Sequence, residues 1–299
     1  MSENTQNGLI NVNLQPLADV TNNLIDKFAD AVGWIATPRG ARKDMETAVE
    51  VYIDEIKKDI SLPAMIKAKK ISQARKEIKE YCNIQDILDH AEDFGRSYDS
   101  HGSESMDEDW VMFFYDHAKN VTQEDAKVLW GKVLAEEYKS KGTIPKMLLH
   151  ILSIMSPDQA RAFESLCGFA PDSIEGLGQI IRVDPLISND MTNKVLSSNG
   201  ITYEALQDLK ALGLLHHNVV DIVTIYEQDV SKLTAAYLYF GSIIEIRNFP
   251  DQFPRGGVLL TNAGKVLASL IERKRVDGFE EYVRDYYLQF GCDVTINKV

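Results

Sequence analysis

Several features that announce a particular class of protein are absent from this chain of 299 residues. The polar start MSENTQNG lacks the basic stretch and apolar run of a secretory leader. No apolar run reaches the roughly 18 residues that a membrane-spanning helix needs. Cysteine is scarce, and Cys82, Cys167 and Cys292 are too far apart for a zinc site and odd in number for a disulfide framework. We therefore expect a cytoplasmic protein with unpaired thiols.

An excess of positive charge is also lacking, because 32 Lys and Arg face 45 Asp and Glu, for a formal net charge of −13. Such a charge repels phosphate backbones and disfavours nucleic-acid binding by the whole surface, although it leaves room for a local basic patch. Residues 38–80 are the basic part, with 11 Lys and Arg against 8 Asp and Glu. They indicate either a solvated helix face or a patch for an acidic partner, nucleic acid or lipid headgroups.

The familiar catalytic motifs are missing as well. The chain contains no phosphate-binding G-x-x-x-x-G-K-[ST], no G-x-S-x-G and no H-E-x-x-H. Carboxylates and imidazoles can bind divalent metals, and they are dense in residues 89–117, which hold His90, His101, His117, Asp89, Glu92, Asp93, Asp99, Asp107, Asp109 and Asp116. A metal-dependent hydrolase is therefore an alternative, but a solvated acidic linker explains the same residues. We expect no cofactor and assign no catalytic residue.

Two further reactive groups have structural explanations. Cys167 lies on the apolar face of its predicted helix, which favours a buried and inert thiol over a nucleophile. His216 and His217 follow a predicted helix end, where the helix dipole favours a cationic imidazole. We expect these two histidines to cap that helix.

The first 95 residues show the periodicity of amphipathic helices. We predict a first helix over 13–36, a second with Met45, Val49, Tyr52, Ile53, Ile56 and Ile60 on one face, a third from the SLP break to about Cys82, and a fourth over 84–94. The polar, Gly/Ser-rich segment 95–109 predicts a linker and a domain boundary.

Residues 105–170 predict a core of four short helices. Trp110, Phe113, Phe114 and Ala118 share one helical face, and a second stripe contains Ala126, Leu129, Trp130, Val133 and Leu134. The opposite face of that second helix carries Glu124, Lys127, Lys132 and Glu136. Thr122 with Asp125, and Ser156 with Pro157 and Gln159, predict helix starts. Aromatic side chains at helical spacing favour a packed core over a binding box.

Residues 175–299 alternate short helices with β-rich runs, in the order of a winged-helix-like α+β module. Its candidate recognition helix presents Glu204, Gln207, Asp208 and Lys210, so carboxylates would face the phosphates of DNA. Over 199–299 there are 10 Lys and Arg against 13 Asp and Glu. Structural or protein-binding use is favoured, with Lys210, Arg273, Lys274 and Arg275 as candidate contacts to nucleic acid or another partner.

The central motif resembles the signature of an uncharacterised bacterial family catalogued as a domain of unknown function. The resemblance rests on a D-x-D-W start, an aromatic pair and an L-W-x-x-x-L-A helix, formed here by Asp107, Asp109, Trp110, Phe113, Phe114, Leu129, Trp130, Leu134 and Ala135. ARAFESLCGF, GITYEALQDLKALGLL and LLTNAGKVL resemble later blocks of that family, so the likeness covers about 84–272. The L-W-x-x-x-L-A helix is also similar to one in abortive-infection proteins, which implies a role in defence against phage.

Together these observations predict a mainly α-helical protein with an N-terminal helical region (1–95), a central short-helix bundle (105–170) and a C-terminal winged-helix-like module (175–299). We expect a non-enzymatic interaction or regulatory protein, with an unidentified protein partner and with self-association through the N-terminal helices. The alternatives are a nucleic-acid-binding regulator that uses the winged-helix-like module and the metal-dependent hydrolase.

Overall fold

A computed structural model describes residues 23–33, 42–95, 106–175, 179–188, 190–217, 222–224, 234–250, 252–254 and 256–298. The helices within these ranges are α1 (Asn23–Val32), α2 (Arg42–Lys58), α3 (Ala64–Gly95), α4 (Glu108–Ala118), α5 (Glu124–Lys139), α6 (Lys146–Ile154), α7 (Pro157–Gly168), α8 (Lys194–Ser198), α9 (Tyr203–Ala211), α10 (Asn262–Leu270) and α11 (Phe279–Leu288). The prediction of a mainly α-helical chain is confirmed. Among these helices, none combines the length and apolar composition that crossing a membrane requires.

The strands follow α7 and form antiparallel sheets. They are β1 (Asp172–Glu175), β2 (Gln179–Arg182), β3 (Leu215–His217), β4 (Ile222–Thr224), β5 (Thr234–Tyr239), β6 (Ser242–Arg247), β7 (Gln252–Pro254), β8 (Val258–Leu260) and β9 (Asp293–Lys298). One sheet has five strands in the order β2-β1-β5-β6-β9, and β3 pairs with β8 and β4 with β7. The chain forms two compact units, Met1–Leu149 and His150–Val299. The predicted linker lies mostly outside the described residues, and the three predicted domain ranges remain predictions.

Helices α2 and α3 form an antiparallel hairpin. The Arg42 guanidinium at the start of α2 contacts Asp86 at 2.7 Å, while Lys67 Nζ near the start of α3 donates to the Lys57 carbonyl at 2.9 Å. Val49 and Ile53 of α2 pack on Ala74 of α3, with Tyr52, Ile71 and Ile78 partly buried around them. The predicted apolar face of α2 is thus present, but Ile60 lies beyond the helix end and is 99% exposed.

The predicted break between two helices near Cys82 and Ile84 is wrong, because α3 continues from Ala64 to Gly95. The amide of Asn83 is buried and donates to the Lys119 carbonyl at 2.9 Å. A contact from another part of the chain therefore satisfies a side chain that would otherwise favour a helix end. Local propensity is a weak determinant when tertiary packing opposes it.

The two halves of α3 lie in different surroundings. Residues 64–80 include a single buried residue, Ala74, whereas Cys82, Asn83, Ile84, Gln85, Ile87, Leu88 and Ala91 are all buried. The C-terminal half packs along α5, in the most extensive helix contact of the first unit. Gly131 of α5 permits this approach, because a Cβ there would lie 2.6 Å from His90 Cβ and 3.0 Å from the Ala91 nitrogen.

The helix starts predicted from the sequence agree with the structure only in part. Ser156 and Gln159 form the predicted capping box, with Pro157 in the first turn of α7. The predicted cap at Thr122 is wrong: α5 begins after Gln123, whose side chain makes no capping hydrogen bond. Threonine caps do form at Thr202, which accepts from the Ala205 amide at the start of α9, and at Thr261, which accepts from the Gly264 amide at the start of α10.

The second unit is organised around the β5–β6 hairpin and α11. Tyr239 pairs with Ser242 across a two-residue turn, in which Phe240 and Gly241 have φ values of 42° and 82°. Positive φ at both positions matches the turn twist that tight hairpins favour. Burial alternates along β6, so Ile244 and Ile246 are both buried on one face.

Tyr239 links this hairpin to two other parts of the unit. Its hydroxyl accepts from the Val276 amide at 2.7 Å and donates to the Gly168 carbonyl at 3.0 Å. Its ring lies 4.1 Å from that of Phe279, the first residue of α11. The predicted closing helix and the strand feeding a helix, β8 into α10, are both present.

Replacing Gly131 with Ala tests the close approach of α3 and α5. The added methyl meets helix backbone, so we expect the free energy of unfolding to fall by about 1–3 kcal/mol. Urea denaturation followed by circular dichroism measures the change. Gly95→Ala is the matched control, because a Cβ there meets nothing within 4 Å. Equal stability of the Gly131→Ala protein and the wild type would contradict the packing.

Candidate functional site

The predicted aromatic core is a closed cluster. Trp110 and Phe114 of α4 stack with ring centroids 5.3 Å apart, and Trp130 of α5 meets Phe114 edge-on at 5.2 Å. Phe28 of α1 contacts Phe114 from another side at 5.9 Å. The Trp110 indole donates to the Ile144 carbonyl at 2.9 Å, so its polar atom is satisfied inside the protein. The two tryptophans therefore specify packing and line no open cleft.

The other signature residues serve the same local fold. Asp107 caps α4 by accepting from the Trp110 amide at 2.9 Å. Asp109 is exposed in the first turn of α4, where its negative charge interacts favourably with the helix dipole. Phe113 and Leu129 are half-buried, and Leu134 is fully buried.

Lys127 and Glu137 are buried charges that the sequence analysis missed. The side chain of Lys127 is 5% exposed and its ammonium contacts Asp86 at 2.5 Å. Glu137 accepts from the Gly142 amide at 2.7 Å and the Ile144 amide at 2.8 Å, which fixes the loop after α5. Lys127 had been placed on the solvated face, yet it precedes Trp130 by three residues and Leu134 by seven. Residues at this spacing lie on one face of a helix, so the spacing from Trp130 and Leu134 predicts that Lys127 is buried.

The predicted metal-binding alternative gains no support from the described histidines. His90 Nε2 lies 2.8 Å from a Glu124 carboxylate oxygen, and His117 Nδ1 lies 2.8 Å from the Phe113 carbonyl. No group of three or more potential metal ligands occurs in the part of the chain that the structure describes. His101 and Asp99 fall outside that part.

All three cysteines are buried and free. Burial raises the pKa of the Cys167 thiol to about 12, and burial also raises the pKa of Cys82 and of Cys292. The prediction of an inert Cys167 agrees with these surroundings, since the thiolate is the nucleophilic form.

The predicted basic contacts at residues 273–275 are engaged within the protein. Arg273 lies 2.5 Å from Asp172 and also donates to the Ala170 carbonyl. Lys274 lies 2.6 Å from Glu164, and Arg275 lies 2.6 Å from Glu280. The three side chains point to separate acidic partners instead of forming one free basic patch.

A cavity of about 150 Å³ lies between Ser188, Asp190 and Asn193 on one side and α11 on the other. Its Tyr282 hydroxyl accepts from the Ser188 amide at 2.6 Å, and its Asp190 accepts from the Thr192 amide at 3.0 Å. The hydrogen bonds from Thr192 lower the pKa of Asp190, and burial raises the pKa of Tyr282. These groups therefore hold the local fold in protonation states that do not favour proton transfer near neutral pH.

A polar surface of the second unit lies on α9 and β3, and we call it the α9–β3 surface. Its members are Tyr203, Glu204, Gln207, Asp208, Lys210 and His217. Leu206 and Leu209 on the other side of α9 are fully buried, which orients the helix. Thr202 caps α9 by accepting from the Ala205 amide.

His217 organises this surface as a buried, neutral side chain. Its ring lies 5.6 Å from the Tyr203 ring, and its Nδ1 lies 3.0 Å from the Gln207 amide nitrogen. Burial, followed by the Lys210 ammonium, lowers the pKa of His217. The predicted cationic cap is therefore wrong: the chain continues past α9 into β3, where pairing with β8 places His217 inside and His216 outside.

Tyr203 is the exposed aromatic of this surface. It is 49% exposed although His217 holds one side of its ring. Glu204 and Asp208 are exposed on the same helix, while Lys210 Nζ reaches the His217 carbonyl at 3.4 Å. The arrangement presents an exposed ring on a helix that also carries exposed carboxylates.

Replacing Lys127 with Met tests the buried ion pair. Asp86 keeps Arg42 as a partner, so we expect a loss of about 1–3 kcal/mol in the free energy of unfolding. Urea denaturation measures it. Lys139→Met on the same helix should change stability by less than about 0.5 kcal/mol, because Lys139 is exposed. Equal effects of the two substitutions would argue against the pair.

The lowered pKa of His217 predicts a pH-dependent contribution to stability. The unfolded chain binds this proton near pH 6.5, whereas folded His217 binds it only at lower pH, so stability falls as pH drops below about 6.5. A His217→Gln variant should therefore lose less stability than the wild type between about pH 7.5 and about pH 5.5. Urea titrations at both pH values measure this. An unchanged pH dependence in His217→Gln would refute the assignment.

Comparison with known proteins identifies a family. A family model described as a protein of unknown function (DUF2806) matches residues 69–284, which is more than two thirds of the chain. The match runs from α3 into α11 and contains the aromatic signature and the α9–β3 surface. No curated protein and no solved structure matches the chain. The expected membership of an uncharacterised domain family is confirmed, and the chain belongs to the DUF2806 family.

Proposed function

We propose that this protein is a non-enzymatic interaction protein that recognises a protein partner through the α9–β3 surface. The observation that carries the proposal is the exposed Tyr203 ring, which contacts the His217 ring and lies on a helix that also exposes Glu204 and Asp208. Tyrosine is enriched at the energetic centres of protein interfaces, where it supplies large contact area with little loss of side-chain freedom.

The order of elements supports a winged-helix-like module as the frame of this surface. Helices α7, α8 and α9 precede β3, β3 pairs antiparallel with β8, and α10 follows. In such a module α9 takes the place of a recognition helix. Glu204 and Asp208 are exposed on α9, where their carboxylates would repel a DNA phosphate backbone, and the basic side chains at 273–275 form ion pairs within the protein. Protein recognition is therefore favoured over nucleic-acid recognition.

The biological setting that we propose is bacterial defence against phage. It rests on the similarity of the L-W-x-x-x-L-A helix to a helix of abortive-infection proteins. The proposed defence role is tested by the plating efficiency of phage on host cells with and without the gene.

Site-specific photocrosslinking in host cells tests the proposed surface. A photoreactive amino acid at Tyr203 should yield one defined protein adduct, whereas the same residue at Leu288, an exposed position on α11, should not. Glu204→Lys with Asp208→Lys should abolish the adduct at Tyr203 through charge reversal. Adducts with nucleic acid, or none at Tyr203, would overturn the proposal.

Fluorescence anisotropy with a short DNA duplex tests the alternative that the protein is a nucleic-acid-binding regulator. We expect no saturable binding by the wild type at low salt. The Glu204→Lys, Asp208→Lys variant should gain weak binding that falls steeply with salt, because counterion release governs such complexes. Saturable, salt-sensitive binding by the wild type would favour the nucleic-acid-binding regulator.

A further inference from the structure

Helix α2 and the N-terminal half of α3 form an arm that we define as residues 42–80. Residues 59–63 connect its two helices at one end, which we call the arm tip together with Met65 and Ile66. From Met65 to Leu88, which is buried in the first unit, α3 rises about 35 Å at 1.5 Å per residue. The arm tip is therefore far from the contact between α3 and α5.

Large aliphatic side chains are exposed at the arm tip. Ile60 is 99% exposed, Met65 is 84% exposed and Ile66 is 44% exposed. The connecting loop is ordered by its own groups, since Asp59 accepts from the Ser61 amide at 2.9 Å and from its hydroxyl at 2.6 Å. Single exposed apolar residues are common on proteins, but three within seven positions of an ordered convex tip form a local apolar surface.

Lysines surround this apolar surface. Residues 57–70 contain Lys57, Lys58, Lys67, Lys69 and Lys70 against Asp59, for a formal charge of +4. Since the whole chain carries −13, the remaining residues carry −17. Lys58, Lys69 and Lys70 are exposed, while Lys57 lies 2.7 Å from Asp54. The arm tip thus combines apolar and cationic groups in an otherwise acidic chain.

The length of the arm makes this charge separation effective. Charges in solution are screened over about 8 Å at physiological ionic strength. The acidic groups around the α3–α5 contact lie several such lengths from the arm tip along α3. A negatively charged surface can therefore attract the tip lysines without being repelled by those groups. Closer to the tip, Asp54 is paired with Lys57, and the charge of Glu55 is formally balanced by Lys58.

We propose that the arm tip binds the surface of an anionic lipid bilayer, with Ile60 and Met65 entering the boundary between headgroups and acyl chains and the lysines contacting acidic headgroups. Both components are those by which peripheral proteins bind membranes: buried apolar area and electrostatic attraction. A convex tip with three exposed apolar side chains fits a deformable lipid surface. It cannot supply the roughly 800 Å² per partner of a standard protein interface, which disfavours a second copy of the chain.

Vesicle flotation of the full-length protein tests the proposal. We expect binding to vesicles of phosphatidylcholine with phosphatidylglycerol and little binding to phosphatidylcholine alone. Ile60→Asp with Met65→Asp should lower the partition coefficient at least about tenfold, because two apolar side chains no longer enter the bilayer. Lys69→Glu with Lys70→Glu should lower it by about tenfold or more.

Val51→Asp is the matched control, because Val51 is 57% exposed on the same arm but away from its tip. This variant should bind as the wild type does, and circular dichroism should show all variants folded. The fluorescence emission of an Ile60→Trp variant should shift to the blue on anionic vesicles, and that of a Val51→Trp variant should not. Absence of binding to anionic vesicles, unchanged binding by Ile60→Asp with Met65→Asp, or a dimer in light scattering that this variant dissociates would overturn the proposal.

Discussion

The close packing of α3 on α5 determines the architecture of the first unit. Gly131 lets the two helix backbones approach, and the aromatic cluster of Trp110, Phe114 and Trp130 packs on the same helix pair. A buried charge needs a partner within the protein, and Lys127 is paired with Asp86 while Glu137 accepts from loop amides. The same contact anchors one half of α3 and leaves the other half to α2 alone.

This arrangement accounts for the patterned centre of the chain as a packed core. Its aromatic rings are buried against each other, and its charged groups are engaged in contacts that maintain helix and loop positions. The two surfaces that we propose for recognition lie elsewhere, on the α9–β3 surface and at the arm tip. They differ in chemistry: one presents a positioned tyrosine with carboxylates, and the other presents aliphatic side chains with lysines.

Patterns within one helix or one turn were predictable. The capping box of α7 depends on residues three positions apart, and the stripe through Trp130 and Leu134 depends on helical periodicity. The strand that feeds α10 was also recognised. The spacing of Lys127 from Trp130 indicated that Lys127 is buried, but a lysine is expected to be exposed to solvent unless an acidic partner is known. That partner, Asp86, is 41 residues away in the chain.

The sequence by itself determined the helical character of the chain, its acidic balance, its family signature and the burial of Trp110 and Trp130, because these follow from composition and local periodicity. Only the tertiary structure decided that α3 is continuous, that His217 is a neutral strand residue and that residues 273–275 are neutralised by separate acids. Each of these depends on partners distant in the chain: Lys119 for Asn83, β8 for His217, and Asp172, Glu164 and Glu280 for the three basic residues. Side-chain preferences are local, whereas the desolvation and pairing that override them are properties of the assembled fold.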